Sequence, residues 1–404
     1  MTDSSIQDRR LTIWGGILLA SILFLPPFTL RADLPSFLAV DITLPITALL
    51  VFINRKRIPI HAFYAVIIFF AAYVPITMAI NGRLGAVSDY FEMYKIGKYG
   101  ILIAFFSLID YTTFSRTWFK PLFLIISITN ILHYYNIFGF HDFLVSVFNN
   151  DHLTNFGLDS LGQPTTKRMM GMASNPNINA IVFGFFALHF LPLKFDKSKF
   201  IWFIAACFMI LLCQSRTAIV AFGGIFFTLA VLRLMNWNWK QWLLTIVTLT
   251  GMYFLVWDLS TDFFTHTSYS NNIVSGSTTS RLSTWRYLFS MIQEKPFFGY
   301  GVNKAFFYKN ELYSENEYIL MTWRYGFIGL IIYLTMMILP LWHFFKKRSS
   351  GDEYGRAMLF IIFIMTIALM NNPFQDRTGM FLMALTIGLT WPFKQLPKPF
   401  SHER

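Results

Sequence analysis

Residues 318–343 read YILMTWRYGFIGLIIYLTMMILPLWH, and Arg324 is the one Asp, Glu, Lys or Arg among them. A helix rises about 1.5 Å per residue, so a run of this length reaches across the ~30 Å hydrocarbon core of a bilayer. Comparable apolar runs lie on both sides of it, at roughly 12–30, 36–53, 60–80, 96–111, 120–138, 178–193, 200–213, 217–233, 242–258, 357–371 and 378–393. The pattern predicts an all-α integral membrane protein with about twelve transmembrane helices.

Composition points the same way. The chain has 404 residues, of which 55% are hydrophobic and 13% charged, with 46 Phe. Soluble domains carry about 25% charged residues. A chain of this length has no core large enough to hide so much apolar surface from water, so a soluble enzyme and a disordered chain are both excluded. The net charge of +12 would suggest nucleic acid on a soluble protein. Here it is first a topology signal, and no nucleic-acid partner is expected. Cys207 and Cys213 sit in one apolar run and imply neither a disulfide framework nor a thiolate metal site.

Orientation follows from the short basic loops. Placing the N-terminus inside puts the tight loops 54–61 and 345–356 inside, with Arg55, Lys56, Arg57, Lys346, Lys347 and Arg348. Arg9 and Arg10 precede an apolar stretch without a small-residue cleavage site, so the first span is read as retained. An even number of spans returns both termini to the same side. Within this single polytopic membrane domain, two long connections fall outside, at about 139–177 and 259–317, and loops of that length are usually functional. The second contains polar, small residues over 275–284. A helical pattern over Trp285–Ile292 follows, then Pro296 and Gly299-Tyr300-Gly301, which is read as a re-entrant or interfacial helix followed by a turn.

Positive charge on the outer side opposes the topology rule and needs a cause. The candidates are Arg168, Arg216, Arg281, Arg286, Arg324 and Arg377. Arg216 follows Gln214-Ser215 in a tight polar hairpin between two apolar runs. It either snorkels to the headgroups or holds an anion, and a hairpin that keeps it near the protein axis favours the second. Arg281 and Arg286 are five residues apart, so one is free to face a pocket and the other solvent; the alternative is a solvated loop helix. Lys167 and Arg168 precede Asn175-Pro176-Asn177, a helix-start signal whose simplest reading is an N-cap. Several guanidinium groups on one face suggest a bound phosphate or pyrophosphate, because each pairs two oxygens and stays charged. Without a Walker-type loop, a lipid-linked sugar pyrophosphate fits better than a nucleotide.

Glu311, Glu315 and Glu317 stand just before the 318–343 run. A carboxylate at the top of a membrane helix serves as a general base when burial or a hydrogen bond tunes it. Glu315 and Glu317 point to different sides, so at most one faces a site. For Glu311 and Glu317 the preferred reading is charge complementing the helix dipole. Asp41 lies mid-run in the second apolar segment, close to Pro45, and is either functional or the satisfier of a broken helix. The histidines are scattered and the outer acids form no Asp-x-Asp pair, so no metal is expected.

Four local patterns between about 168 and 330 resemble the O-antigen ligase and polymerase superfamily, the WaaL-type and Wzy-type bacterial envelope glycan enzymes. They are Arg168 through Asn177; Gln214-Ser215-Arg216; Arg281-Leu-Ser-Thr-Trp285 with Gln293-Glu294-Lys295-Pro296 and Gly299-Tyr300-Gly301; and Glu315-Asn316, nine residues, then Gly326-x-x-Gly329. The ligases carry His where this chain has Glu315, a departure that moves the reading toward the polymerase branch.

The resemblance implies an O-antigen polymerase in the bacterial inner membrane, active at its periplasmic face. It would join undecaprenyl-pyrophosphate-linked repeat units without metal or other cofactor. Arg216 and Arg281 would hold the pyrophosphate and Glu315 would accept the acceptor proton. Arg168, Asn177, Arg286, Asn316 and Arg324 would complete the substrate site. Membrane lipids and a chain-length regulator protein would be partners. A ligase transferring finished polymer to lipid A-core would use the same chemistry on a different acceptor. A flippase or transporter would show paired broken helices, and no internal repeat is found.

Overall fold

The computed structural model describes residues 3–25, 38–58, 62–148, 168–173, 175–194, 196–231, 237–259, 267–310, 312 and 314–391. Among these residues the regular structure is helical and no strand occurs. The helices are α1 Asp3–Phe24, α2 Ala39–Ile53, α3 Ala62–Ile80, α4 Tyr90–Phe106, α5 Tyr111–Phe114, α6 Lys120–Tyr134, α7 Phe140–Phe148, α8 Pro176–Phe190, α9 Lys197–Leu212, α10 Arg216–Val231, α11 Trp239–Leu259, α12 Thr267–Glu294, α13 Lys304–Lys309, α14 Glu317–Lys347, α15 Asp352–Ile367 and α16 Arg377–Thr390. A π-turn over Ser115–Phe119 joins α5 to α6.

Each of the expected apolar runs overlaps a helix. Two of these helices, α3 and α14, are long and apolar enough to cross a membrane by themselves. A third candidate is the pair Tyr111–Tyr134 and Ile137–Val147, bent by 108°. Several others, such as α8 and α16, are apolar but shorter. The helices also begin earlier than expected in the second long connection: the 28-residue α12 starts at Thr267, not near Trp285. The polar stretch 275–284 is therefore part of the helix.

α8 and α16 form the centre. From Asn179 to Phe190 every side chain of α8 is buried, as is every residue of α16 from Gly379 to Thr390. A helix apolar on all sides is one with neighbours on all sides. Other helices turn apolar ridges outward instead: Ile42, Ile46, Leu49 and Phe52 on α2, Ile68, Phe69, Ile76 and Ile80 on α3, and Leu243, Ile246 and Val247 on α11 are all exposed. Continuous outward faces of this kind are what hydrocarbon solvates and water does not.

Charge sorts to the two ends of the bundle. At one end Arg57 pairs with Asp8 at 2.8 Å and Arg356 donates to the Leu191 carbonyl at 3.2 Å. Lys346, Lys347 and Arg348 close α14 there. The opposite end holds the starts of α8, α10, α14 and α16.

There α14 is broken. Gly326 has φ +66°, and the turn 296–301 clips into the gap. Phe327 N donates to the Pro296 carbonyl at 2.7 Å, Tyr300 N to Trp323 O at 2.9 Å and Gly301 N to Arg324 O at 2.7 Å. The carbonyls freed by the break are thus satisfied within the protein, which non-helical backbone requires in an apolar setting. A Cβ on Gly326 would lie 2.1 Å from the Phe297 carbonyl oxygen, and one on Gly299 2.6 Å from the Trp323 oxygen. The Gly-Tyr-Gly and Gly-x-x-Gly patterns are two halves of this one joint.

Candidate functional site

The segment 168–170 lies against the end of α9. Met169 N donates to Leu212 O at 3.0 Å, and Met169 and Met170 are buried. That anchoring brings Arg168 to the start of α8, where its Nη2 donates to Asn177 Oδ1 at 3.1 Å and its Nε to Cys213 O at 3.2 Å. Ser215 Oγ donates to the same Asn177 oxygen at 2.9 Å. The Asn-Pro-Asn motif divides its labour. Asn175 is the N-cap, accepting from Asn177 N and Ile178 N, while the Asn177 side chain ties the 168 segment to the 214–216 hairpin.

Arg216 begins α10 after Gln214, whose φ of +49° makes the reversal tight. Its side chain is exposed and forms no ion pair among the described residues. Burial pushes the Arg168 guanidinium down to about 10, and the like charges of Arg216 and Arg281 add to that push. Three arginines from three separate segments therefore share one neighbourhood, and repel.

Arg281 is carried by α12. The C-terminal half of this helix is held on α14 by Leu288, Ile292, Ile319 and Trp323, with Trp285, Met291, Tyr300, Phe306 and Phe307 packed around them. The Trp323 ring stacks on Tyr300 at 5.2 Å and on Phe306 at 5.1 Å. Trp285 Nε1 donates to Ser314 O. With α12 fixed this way, Arg281 Nε donates to Glu315 Oε2 in an ion pair. Both side chains remain partly open, at 35% and 40% exposure. Arg281 shares its charge with Glu315, and the Arg168 and Arg216 guanidinium groups bring two further positive charges to the neighbourhood of Arg281. Such a surplus suits a dianionic group, and arginine forks match phosphate oxygens.

Of the expected site residues, the structure thus joins Arg168 to Asn177 beside Arg216, and Arg281 to Glu315, with Arg216 and Arg281 both near enough to Arg168 to act on its charge. Arg286 does not join them; it is exposed on another side of α12. Asn316 is a structural cap: its Oδ1 accepts from Ile319 N at 3.0 Å and its Nδ2 donates to Leu369 O at 2.9 Å, which leaves little for a ligand. Arg324 is buried in a separate polar cluster. Its Nη1 donates to Gln375 Oε1 at 2.9 Å and stands 3.8 Å from Glu92 Oε2. Glu311 lies outside the described residues. Asp41, expected mid-run, lies in the first turn of α2, where it accepts from Leu38 N at 2.8 Å and pairs with Lys98 Nζ at 2.6 Å; it caps the helix start rather than a break at Pro45.

The cluster around Arg324 escaped sequence reading. Glu92 accepts from Lys95 Nζ at 2.6 Å and pairs with Lys304 Nζ at 3.2 Å. Gln375 accepts from Lys95 Nζ at 2.7 Å and donates through Nε2 to Glu317 Oε1 at 3.1 Å. The signal available was the unexplained pair of charges, Glu92 and Lys95, one turn apart at the head of an apolar run. Nothing in the sequence names Gln375 as their partner.

Residues 201–334 match the family model described as O-antigen ligase (Wzy_C). No curated protein matches the chain. The matched segment carries Arg216, Arg281, Glu315 and Arg324, whereas Arg168, Asn177, Glu92 and Gln375 lie outside it. In this segment the chain is similar to the O-antigen ligase and polymerase superfamily of membrane enzymes that transfer glycosyl groups.

Proposed function

We propose that this protein is an O-antigen polymerase of the bacterial inner membrane, with about twelve spans and its active face in the periplasm. The observation that carries the reading is the Arg281–Glu315 ion pair at one end of the bundle, with the charges of Arg168 and Arg216 close by. The donor is a growing glycan on undecaprenyl pyrophosphate, and the acceptor is the next lipid-linked repeat unit. An acceptor hydroxyl attacks the anomeric carbon of the donor. The new C–O bond forms as the bond to the pyrophosphate oxygen breaks, and undecaprenyl pyrophosphate leaves with the electron pair. The hydroxyl proton passes to Glu315.

The arginines stabilise the charge that grows on the leaving oxygen, a preorganised electrostatic effect. Arg281 serves two partners in turn, since it holds Glu315 when no donor is bound and the pyrophosphate when one is. Donor binding then loosens the carboxylate for its role as base. The energy for transfer is in the glycosyl pyrophosphate bond, so the reading invokes neither metal nor nucleotide. A chain-length regulator protein belongs to the same proposal.

Glu315 in place of the ligase histidine favours polymerisation over transfer to lipid A-core. Lipopolysaccharide from cells lacking the protein tests this directly on a gel. Core bearing a single repeat unit is the expected result. Bare core, with long polymer left on the lipid carrier, would instead identify a ligase, and an unchanged ladder would remove both readings.

A further inference from the structure

Glu315 sits in the left-handed region at φ +43°, and its neighbours on both sides are buried. Each of those neighbours is tied to one distant turn, the connection 368–376 between α15 and α16. Asn372 Nδ2 donates to Ser314 Oγ at 3.2 Å. Asn316 Nδ2 donates to Leu369 O, and Glu317 N to Ala368 O at 2.9 Å. The fully buried Glu317 carboxylate completes the joint, accepting from Phe374 N at 3.0 Å and from Gln375 Nε2 at 3.1 Å. Gln375 has its orientation imposed from behind, because its Oε1 accepts from both Lys95 and Arg324. It has no freedom to turn its amide over without presenting two donors to two cations.

We infer that Glu317 is a positioning residue for Glu315, acting through the 368–376 turn and Gln375. The inference rests on the reading of Glu315 as the proton acceptor. The chemistry is that of a bracket. A non-glycine residue with positive φ is held there only when its surroundings over-determine it. The carboxylate it carries must meet an acceptor hydroxyl to within a fraction of an ångström to be useful. Glu317 itself is engaged by backbone and amide donors and has no face left for substrate. The Glu92–Lys95–Lys304–Arg324 cluster, otherwise without a task, fixes Gln375 and so closes the bracket.

The test uses the full chain in lipid nanodiscs, with a lipid-linked repeat unit as donor and acceptor. E317Q sets its new amide donor against Gln375 Nε2. The expected result is a kcat lower by about ten- to a hundredfold, with KM for the donor unchanged because the arginines are untouched. The exchange E317Q/Q375E restores the donor–acceptor pattern. The amide introduced at position 317 still accepts from Phe374 N through its oxygen. Its NH₂ group now donates to the carboxylate introduced at position 375, which still accepts from Lys95 and Arg324. Recovery of kcat in the exchange is expected, and a merely structural role does not predict it. N372A, which cuts the link at Ser314, reads the same bracket if E317Q fails to fold, and should lower kcat in the same sense. E315Q is measured beside them. Wild-type turnover in E315Q would overturn the proton-acceptor reading and the inference with it. An inactive E315Q beside wild-type kcat in folded E317Q and N372A, or an E317Q defect that the exchange leaves unrepaired, would overturn the inference alone.

Discussion

Arg281 and Glu315 are 34 residues apart in the chain and meet as an ion pair at the mouth of the helical bundle. The contact joins α12 to the lead-in of α14, so it exists only because Leu288, Ile292, Ile319 and Trp323 press the two helices together. It also couples the two halves of the proposed chemistry, leaving-group stabilisation and proton removal, through one guanidinium.

Removing either the base or a pyrophosphate ligand should therefore be costly, by different routes. Glu315→Gln keeps the shape and removes the base, and loses about a hundredfold or more in turnover. Arg216→Ala removes one of the proposed pyrophosphate ligands, and is expected to lose about 10²–10³-fold. Both proteins should insert and accumulate normally, since neither side chain is part of the buried core. Glycan ladders and in vitro polymer length measure the outcome. Near-normal polymer from both would remove these residues from the site.

Arg168 offers a pH-dependent test. Its surroundings bring the guanidinium from 12.5 to about 10, still charged at neutral pH. A lysine exposed to the same burial and the same two like charges would be pushed down from a lower starting point, about 10.4. Arg168→Lys should then lose activity as the pH is raised from neutral into the alkaline range, where its charged form disappears before that of the arginine. The wild-type protein should show no such loss over that range. Matching profiles for the two would refute the shared electrostatic neighbourhood.

The two asparagines of the Asn-Pro-Asn motif should separate cleanly. Asn175→Ala removes a cap, worth about 1 kcal/mol of stability, and leaves the arginines alone. Asn177→Ala strips Arg168 and Ser215 of a common acceptor and should reduce activity more than thermal stability. Thermal unfolding in detergent, run beside a polymerisation assay, would show whether the two effects part in this way.

Gly326→Ala should be among the most damaging small substitutions. The residue has φ +66°, and its Cβ would stand 2.1 Å from the Phe297 carbonyl oxygen. A left-handed non-glycine costs about 1–3 kcal/mol before any clash is counted. The 296–301 turn should leave the gap in α14, and aggregation or a lowered melting temperature would report it. A protein as stable as wild type would mean that the joint is not needed to hold α14.

Much of this architecture follows from the sequence alone. Apolar runs along most of the chain, two of them in helices long and apolar enough to cross a bilayer, leave an unfolded or soluble chain no way to satisfy its own composition, so the helical class is dictated locally. Arg216 and Glu315 stand out for the same kind of reason: a charge at the edge of an apolar run is expensive wherever it goes. What the sequence did not determine is who meets whom. Arg281 and Arg286 look equivalent on paper, and only the packing of α12 on α14 turns the first to Glu315 and the second to solvent. Asn316 resembles a site residue and is a cap. Glu317 resembles a dipole charge and is the buried partner of a turn more than fifty residues away. Hydrogen bonds of that reach are paid for by tertiary burial, and burial is a property of the folded surface that no local pattern encodes.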